Sequence, residues 1–217
     1  MPRDVLITDF DGTITRRDFY ELAVAHCLGP DIPDYWSRYA TGAITHFEAM
    51  AGIFSHIRCP EPRLRELVTQ MDPDPLLADA VCRLDSAGWD VIVVSNGSQW
   101  YIHQILAAAG IAHLPVHASP GRYVEGGGLV LERPLDSPFC SPTHGIDKCA
   151  VVRDARTRYG RVAFAGNGPP DEAAALMAPP ELRFARTWLA QRFRASGEPF
   201  QPFERWSEIA ATLCLTS

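Results

Sequence analysis

Val5 to Thr8 is an aliphatic and β-branched run with no polar alternation, the pattern of a strand covered on both faces, and it ends at Asp9. From about Asp18 to Gln70 the apolar residues recur at spacings of three and four, the period of amphipathic helices. Breaks at Gly29-Pro30, Ile32-Pro33 and Cys59-Pro60 divide this stretch into four short helices. Leu76 to Ala87 reads as another helix, stopped by Gly88. Val91 to Val94 is a second buried strand, after which Ser95-Asn96-Gly97-Ser98 opens a helix running to about Ala109.

Arg122 to Pro134 reads as two short strands around a glycine-rich turn, followed by a Pro- and Ser-rich loop to Gly145. Lys148 to Tyr159 predicts a helix, Arg161 to Ala165 a strand and Asp171 to Met177 a helix. Leu182 to Ala185 fits one more strand, and Glu204 to Leu215 a closing amphipathic helix. Strands alternating with helices predict an α/β protein with a mostly parallel sheet. The helical block is too long for one crossover connection. Residues 16–75 are therefore expected as a separate helical lobe, inserted into a core formed by 1–15 and 76–217. In such sheets ligands sit at the carboxyl ends of the strands. Three of those ends carry Asp9-Phe10-Asp11, Ser95-Asn96-Gly97 and Gly166-Asn167.

Composition narrows the classes. With 217 residues, 47% hydrophobic and 21% charged, the chain has the balance of a soluble globular protein, and no apolar run is long enough to span a membrane. Its N-terminal apolar run is too short for a signal-peptide core. A net charge of −6 with no basic stripe argues against nucleic acid as a partner. A cytoplasmic protein, monomeric or homodimeric, is expected. The six cysteines are then expected as buried, reduced thiols. Cys140, His144 and Cys149 match no common zinc spacing and lack a fourth ligand. Of 20 Lys and Arg residues only Lys148 is lysine, so one ammonium is retained in a chain that otherwise uses arginine.

Asp9-Phe10-Asp11-Gly12-Thr13 is the sharpest chemical signal. Two carboxylates one residue apart at a strand end repel each other unless a cation binds them or one stays protonated. Together with Ser95, Lys148 and the loop ending in Asp171, in that order at strand and helix ends, this set resembles the four motifs of the haloacid-dehalogenase-like phosphatases. A helical lobe between the first two motifs resembles their C1-capped, phosphoserine-phosphatase-like branch. Arg183 to Leu189, with the hairpin before the lysine, resembles most the methionine-salvage subgroup, which acts on a phosphorylated methylthio-ketopentene.

The resemblance implies a Rossmann-like core with a helical C1 cap and a small β-hairpin, and an Mg²⁺-dependent hydrolysis of a small phosphorylated metabolite. Asp9 is then the nucleophile that becomes an aspartyl phosphate, and Asp11 the acid and base. Ser95 holds a phosphate oxygen, helped by the Asn96 and Gly97 main-chain N–H groups at a helix N-terminus. Lys148 neutralises charge between Asp9 and the phosphate. The metal takes Asp9, the Asp11 carbonyl, Asn167 and Asp171. Asn167 departs from the family pattern, which generally has a carboxylate there; an amide oxygen still ligates but carries no charge, so an active enzyme with weakened magnesium affinity is expected.

Arg16, Arg17, Asp18 and Glu21 lie where the chain enters the lobe, and Arg17 and Glu21 are candidates for binding the substrate's organic part. Tyr35, Trp36 and Tyr39 are expected to pack between cap and core, and His46, His56 and His103 to be satisfied surface or interface residues. Two other readings share these residues: a phosphotransferase using the same intermediate, and a phosphometabolite-binding protein without turnover, which Asn167 alone favours.

Overall fold

In the computed structural model, which describes residues 2–29 and 31–215, the first apolar run forms strand β1 (Asp4–Thr8). Val5 and Ile7 enter one apolar cluster and Leu6 the other, the two-sided burial that an unbroken aliphatic run requires. Four helices follow: α1 (Phe19–Cys27), α2 (Tyr35–Ala40), α3 (His46–Ser55) and α4 (Glu61–Thr69). Pro30, part of the expected Gly29-Pro30 break, lies outside the described residues. α1 starts where the Asp18 carboxylate accepts the Tyr20 N–H, and α3 starts at a reciprocal capping box between Thr45 and Glu48.

The chain continues through α5 (Leu77–Ser86), β2 (Trp89–Ser98), α6 (Gln99–Ala108) and β3 (Val116–Ser119). Two antiparallel hairpins come next, β4 (Gly121–Val124) with β5 (Gly128–Leu131) and β6 (Cys140–Ser141) with β7 (Gly145–Ile146). Helix α7 (Lys148–Arg158), strand β8 (Val162–Gly166) and the short helix α8 (Glu172–Leu176) follow. β9 (Arg183–Ala185), α9 (Thr187–Ser196), β10 (Gln201–Pro202) and α10 (Trp206–Leu215) complete the order. The main sheet has six strands in the order β10-β9-β8-β1-β2-β3, and every pair in it is parallel. The α/β class expected from the sequence is the observed one. Among the described residues no helix is long and apolar enough to cross a membrane.

Several local expectations are corrected. Ser95-Asn96-Gly97-Ser98 does not open a helix but continues β2, with an irregular register between Val94 and Ser98, and α6 begins only at Gln99 with Ser98 as its cap. Helix α9 and strands β3 and β10 have no counterpart in the sequence reading. Of Tyr35, Trp36 and Tyr39, the first two pack against the larger apolar cluster, Tyr35 over Gly52 and Trp36 edge-on to both Tyr20 and Tyr39, while Tyr39 itself is exposed.

The largest correction concerns the cysteines. Cys27 and Cys59 form a disulfide across 32 residues, joining the end of α1 to the segment before α4, and Cys82 is exposed, so the chain does not carry six buried thiols. The antiparallel bridge between Leu28 and Ile57 and the Arg58 N–H bond to the Cys27 carbonyl, 3.0 Å long, hold the same two segments together. α2 and α3 lie inside the closed loop. A cross-link over a loop of that length restricts the unfolded chain by about 3.7 kcal/mol. Chemical denaturation should show the Cys27→Ser/Cys59→Ser protein less stable by roughly that amount. A reductant should lower the midpoint of the wild-type protein and leave that of the double variant where it is.

Candidate active site

The register of the sheet brings the polar strand ends together. Thr8 pairs with Val93 on one side and with Ala165 on the other, so Asp9, Ser95 and Asn167 leave three neighbouring strands at one edge. The chain runs outward from β1 through β2 and β3, then returns to β8 on the opposite side of β1. Crevices at such reversals are where open α/β sheets bind ligands. Here the crevice is a cavity of about 540 Å³ whose walls include Asp9, Asp11, Ser95, Asn96, Gly97, Lys148, Asn167 and Asp171.

Lys148, the first residue of α7, is buried at 5% exposure with its Nζ 2.6 Å from Asp9 Oδ1 and 2.6 Å from Asp171 Oδ1. Burial pulls the ammonium's pKa down, but the two carboxylates outweigh it and the net shift is upward, so Lys148 stays charged. Burial first, and then repulsion from Asp171, pushes the Asp9 carboxyl up to about 7 against the pull of Lys148. A buried cation with two buried anions at hydrogen-bond distance is held only if each is satisfied by the others.

Asp11 is gripped differently. Its Oδ1 accepts the Phe19 N–H at 3.1 Å, in the first turn of α1, and its Oδ2 accepts the Tyr101 hydroxyl at 2.7 Å. Burial, followed by repulsion from Asp18, still raises Asp11 to about 7, while the Tyr101 phenol is pushed well above its ordinary range and keeps its proton. Ser95 Oγ lies 3.4 Å from Asp11 Oδ2 and accepts the Gly97 N–H at 3.0 Å. The Gly97 amide is therefore engaged by Ser95, and neither it nor the Asn96 amide sits at a helix N-terminus. Gly97 is needed for closeness: a Cβ there would lie 1.7 Å from Tyr101 Oη and 3.0 Å from Asp11 Oδ2.

The loop after β8 is organised by its own acid. Asp171 Oδ2 accepts the N–H groups of Asn167 at 2.9 Å and Gly168 at 3.0 Å, while Oδ1 takes Lys148. The Asn167 side chain then turns toward the first motif. Thr13 Oγ1 lies 3.1 Å from Asp9 Oδ2 and 3.0 Å from Asn167 Oδ1, and its single proton serves one of them at a time. Gly12, at φ +68°, passes so close to Asn167 that a Cβ would lie 2.3 Å from Nδ2. Among the described residues no three His, Cys, Asp or Glu side chains are grouped as a metal site. What the crevice offers instead is a pair of hard oxygens, Asp9 Oδ2 and Asn167 Oδ1, each within hydrogen-bond reach of Thr13 Oγ1. Such a set suits a divalent cation that prefers oxygen.

The helical segment supplies the opposite wall with Arg16, Asp18, Tyr20, Glu21, Trp36, His46 and Met50. Glu21 is therefore in the cavity as expected, but Arg17 is not; its neighbour Arg16 takes that place. Arg17 donates its main-chain N–H to Met71 and its carbonyl accepts Thr15, which ties the start of the segment to its end. Among the histidines, His56 is satisfied by the Gly52 carbonyl at 2.8 Å and His103 is exposed, but His46 lines the cavity with a buried Nδ1 that has no partner. The sequence reading places Thr13, Thr187 and Trp188 within motifs but gives none of them a role, and it passes over Tyr101. Thr13 belongs to the first motif and was the most findable; Tyr101 looked like one more apolar position of α6.

A sequence model of the haloacid dehalogenase-like hydrolases matches residues 6–176. The chain is similar to a 2-hydroxy-3-keto-5-methylthiopentenyl-1-phosphate phosphatase from Brevibacillus brevis, with 24% identity over 96% of this chain and 94% of that protein. Among solved structures it is similar to a probable phosphoserine phosphatase from Vibrio cholerae, with a TM-score of 0.68 and 17% identity over 98% of this chain and 65% of that one. It is also similar to a phosphoserine phosphatase solved as a phospho-aspartyl intermediate analogue, with a TM-score of 0.64 and 14% identity over 97% and 99% of the two chains. At these identities the structural likeness establishes the fold alone. The sequence match runs from β1 to the end of α8 and includes the strand ends that carry Asp9, Ser95 and Asn167; the chain belongs to the haloacid dehalogenase-like hydrolase family.

Proposed function

We propose that the chain is a phosphomonoester hydrolase that works through an aspartyl phosphate on Asp9, with residues 16–75 as a cap over the site. The observation that carries this reading is the buried Lys148 ammonium shared between Asp9 and Asp171 at the carboxyl edge of the sheet. It fixes one oxygen of Asp9 and supplies positive charge where a phosphate would be attacked.

In the first half-reaction an Asp9 oxygen bonds to phosphorus as the ester P–O bond breaks. The departing alkoxide takes its proton from Asp11; burial raises both Asp11 and Asp9 to about 7, and it is the Lys148 ammonium 2.6 Å from Asp9 Oδ1 that favours the anion on Asp9 and leaves the shared proton to Asp11. In the second, Asp11 takes a proton from a water that attacks the phosphorus, and the bond to Asp9 breaks to release inorganic phosphate. Ser95 donates its hydroxyl to a phosphate oxygen once a ligand displaces its long contact with Asp11. Tyr101 and the Phe19 N–H hold the Asp11 carboxyl at the ester oxygen. Asp9, the Asp11 carbonyl and Asn167 would hold Mg²⁺, with Asp171 beside them, and the ion when bound supplies the charge that lets a carboxylate approach a phosphate dianion.

The substrate is a small phosphorylated metabolite, and the compound named for the Brevibacillus brevis relative is the first candidate. A panel of phosphoserine, phosphocholine, pyridoxal phosphate, thiamine phosphate and that intermediate, ranked by kcat/KM, would decide. Asn167 is the one residue that favours a binding protein instead. Phosphate release from p-nitrophenyl phosphate with and without Mg²⁺ separates the two, since a binding protein shows no magnesium-dependent turnover.

Asp9→Asn should abolish that turnover while leaving the circular dichroism spectrum unchanged; an active Asp9→Asn protein would sink the mechanism. Lys148→Arg should lower kcat at least about 100-fold, because the guanidinium fork cannot occupy a sealed pocket shaped for one ammonium. Replacing Asn167 by Asp restores a charge to the metal oxygens, so the Mg²⁺ concentration giving half activity should fall. An unchanged magnesium requirement would mean that Asn167 does not touch the ion.

A further inference from the structure

The cap wall of the cavity contains one polar group that no described residue satisfies. His46 opens α3, and its ring is flanked by Trp36 at 5.6 Å, Tyr39 at 5.6 Å and His144 at 5.5 Å between centroids. Its Nδ1 is buried and has no hydrogen-bond partner among the described residues. The chain invests in holding this ring: Thr45 and Glu48 cap the helix beneath it, and the next residue, Phe47, donates its N–H to the Thr143 carbonyl at 2.9 Å.

Burial, followed by repulsion from His144 and Lys148, lowers the His46 pKa to about 4, so the ring is neutral near neutral pH and carries a single N–H. A proton on Nδ1 would be a buried donor with no acceptor, which folded proteins rarely tolerate; an unpaired acceptor there costs less. The tautomer with the proton on Nε2 is the one this packing favours. Nε2 is then the polar atom that the ring can present to the cavity.

Nearby groups limit what it can meet. Trp36 Nε1 donates to Tyr20 Oη, so the Trp36 donor is spent and the indole offers only an aromatic surface. Met50 continues the apolar surface, and the remaining polar groups on this wall are Arg16, Asp18 and Glu21 near the start of the cap, with the Tyr20 hydroxyl, which accepts from Trp36 Nε1 and keeps its own proton. Ser95 and Asp9, at or beside strand ends, and Lys148, at the start of α7, lie on the other side, where the phosphate would be held.

On the phosphomonoester reading above, we infer that His46 is a specificity-determining residue, donating a hydrogen bond from Nε2 to an oxygen on the substrate's leaving group while Trp36 covers its carbon frame. The favoured esters are those with a hydroxyl or carbonyl oxygen on a short chain, and bare alkyl phosphates are disfavoured.

Calorimetric titration with glycerol 3-phosphate and with n-propyl phosphate tests this, because the two esters share a three-carbon chain and differ in oxygen. The Asp9→Asn background blocks turnover, so affinity is read whether or not the chain is a phosphatase. Glycerol 3-phosphate should bind more tightly than propyl phosphate, and His46→Phe should shrink that preference about 5- to 10-fold, the worth of one hydrogen bond to a neutral group. His46→Gln, whose amide N–H₂ can stand near the Nε2 position, should recover most of it. No preference in the parent protein, or equal losses for both esters in His46→Phe and His46→Gln, would overturn the inference and leave His46 as packing. Turnover of p-nitrophenyl phosphate by the wild-type protein is scored separately, so a failure of the phosphatase reading does not pass for a failure of this one.

Discussion

Everything at this site depends on sealing one ammonium among carboxylates at the edge of a hydrophobic sheet. Lys148 and Asp171 are almost wholly buried and Asp9 nearly so. None of these charges is tolerable alone at that depth; the desolvation of each is offset only by the others. The fold meets that condition by bringing three separate segments to one point: β1 ends in Asp9, α7 begins with Lys148, and the turn after β8 contributes Asp171. A shift of register by one residue in β1 would turn Asp9 toward a face of the sheet and leave Lys148 without half its compensation. The ion cluster thus ties the order of the strands to the chemistry at their ends.

How much of this was legible in the sequence follows from the range over which each feature is encoded. Asp9, Asp11 and the Gly166–Asp171 loop stand at boundaries between strand and helix patterns, where periodicity points to them; Lys148 stands out as the lone lysine, and the family resemblance supplies the roles. Ser95-Asn96-Gly97 was misread because a Ser-Asn-Gly run suits a helix cap as well as an irregular strand end. α9 was missed because it starts at Thr187 with φ +46°, a left-handed conformation that no pattern of threonine announces. Tyr101 and His46 depend on the packing of whole helices: a tyrosine in an apolar stripe and a histidine at a helix start look the same whether they face a core or a cavity. The Cys27–Cys59 pair escaped for the same reason, since composition alone favours thiols and only the fold of α1 against the segment before α4 brings the two sulfurs together.

The helical wall of the cavity and the disulfide belong to one physical problem. α2 has no buried residue, and α3 is held mainly through one face. Yet these two helices carry Trp36, His46 and Met50, three of the groups that border the cavity. A wall built from weakly buried helices orders poorly by hydrophobic burial alone. Closing the loop around it by a covalent link, and pinning the start of α3 to the 141–145 turn of the core, supplies order from the two ends instead.

The loop after β8 shows why a neutral residue can stand where the family generally has an acid. If position 167 were held only by attraction to a cation, removing its charge would release the loop. In this chain the loop is held from the other side: Asp171 accepts the Asn167 and Gly168 N–H groups on one oxygen and Lys148 on the other, and Pro169 and Pro170 stiffen the turn between them. Asn167 Oδ1 and Asp9 Oδ2 are thereby presented to the same hydroxyl, 3.0 and 3.1 Å from Thr13 Oγ1. Position and charge, which one carboxylate usually supplies together, are divided here between two residues. The amide provides an oxygen in place, and the charge that placed it resides on Asp171, where it also anchors Lys148.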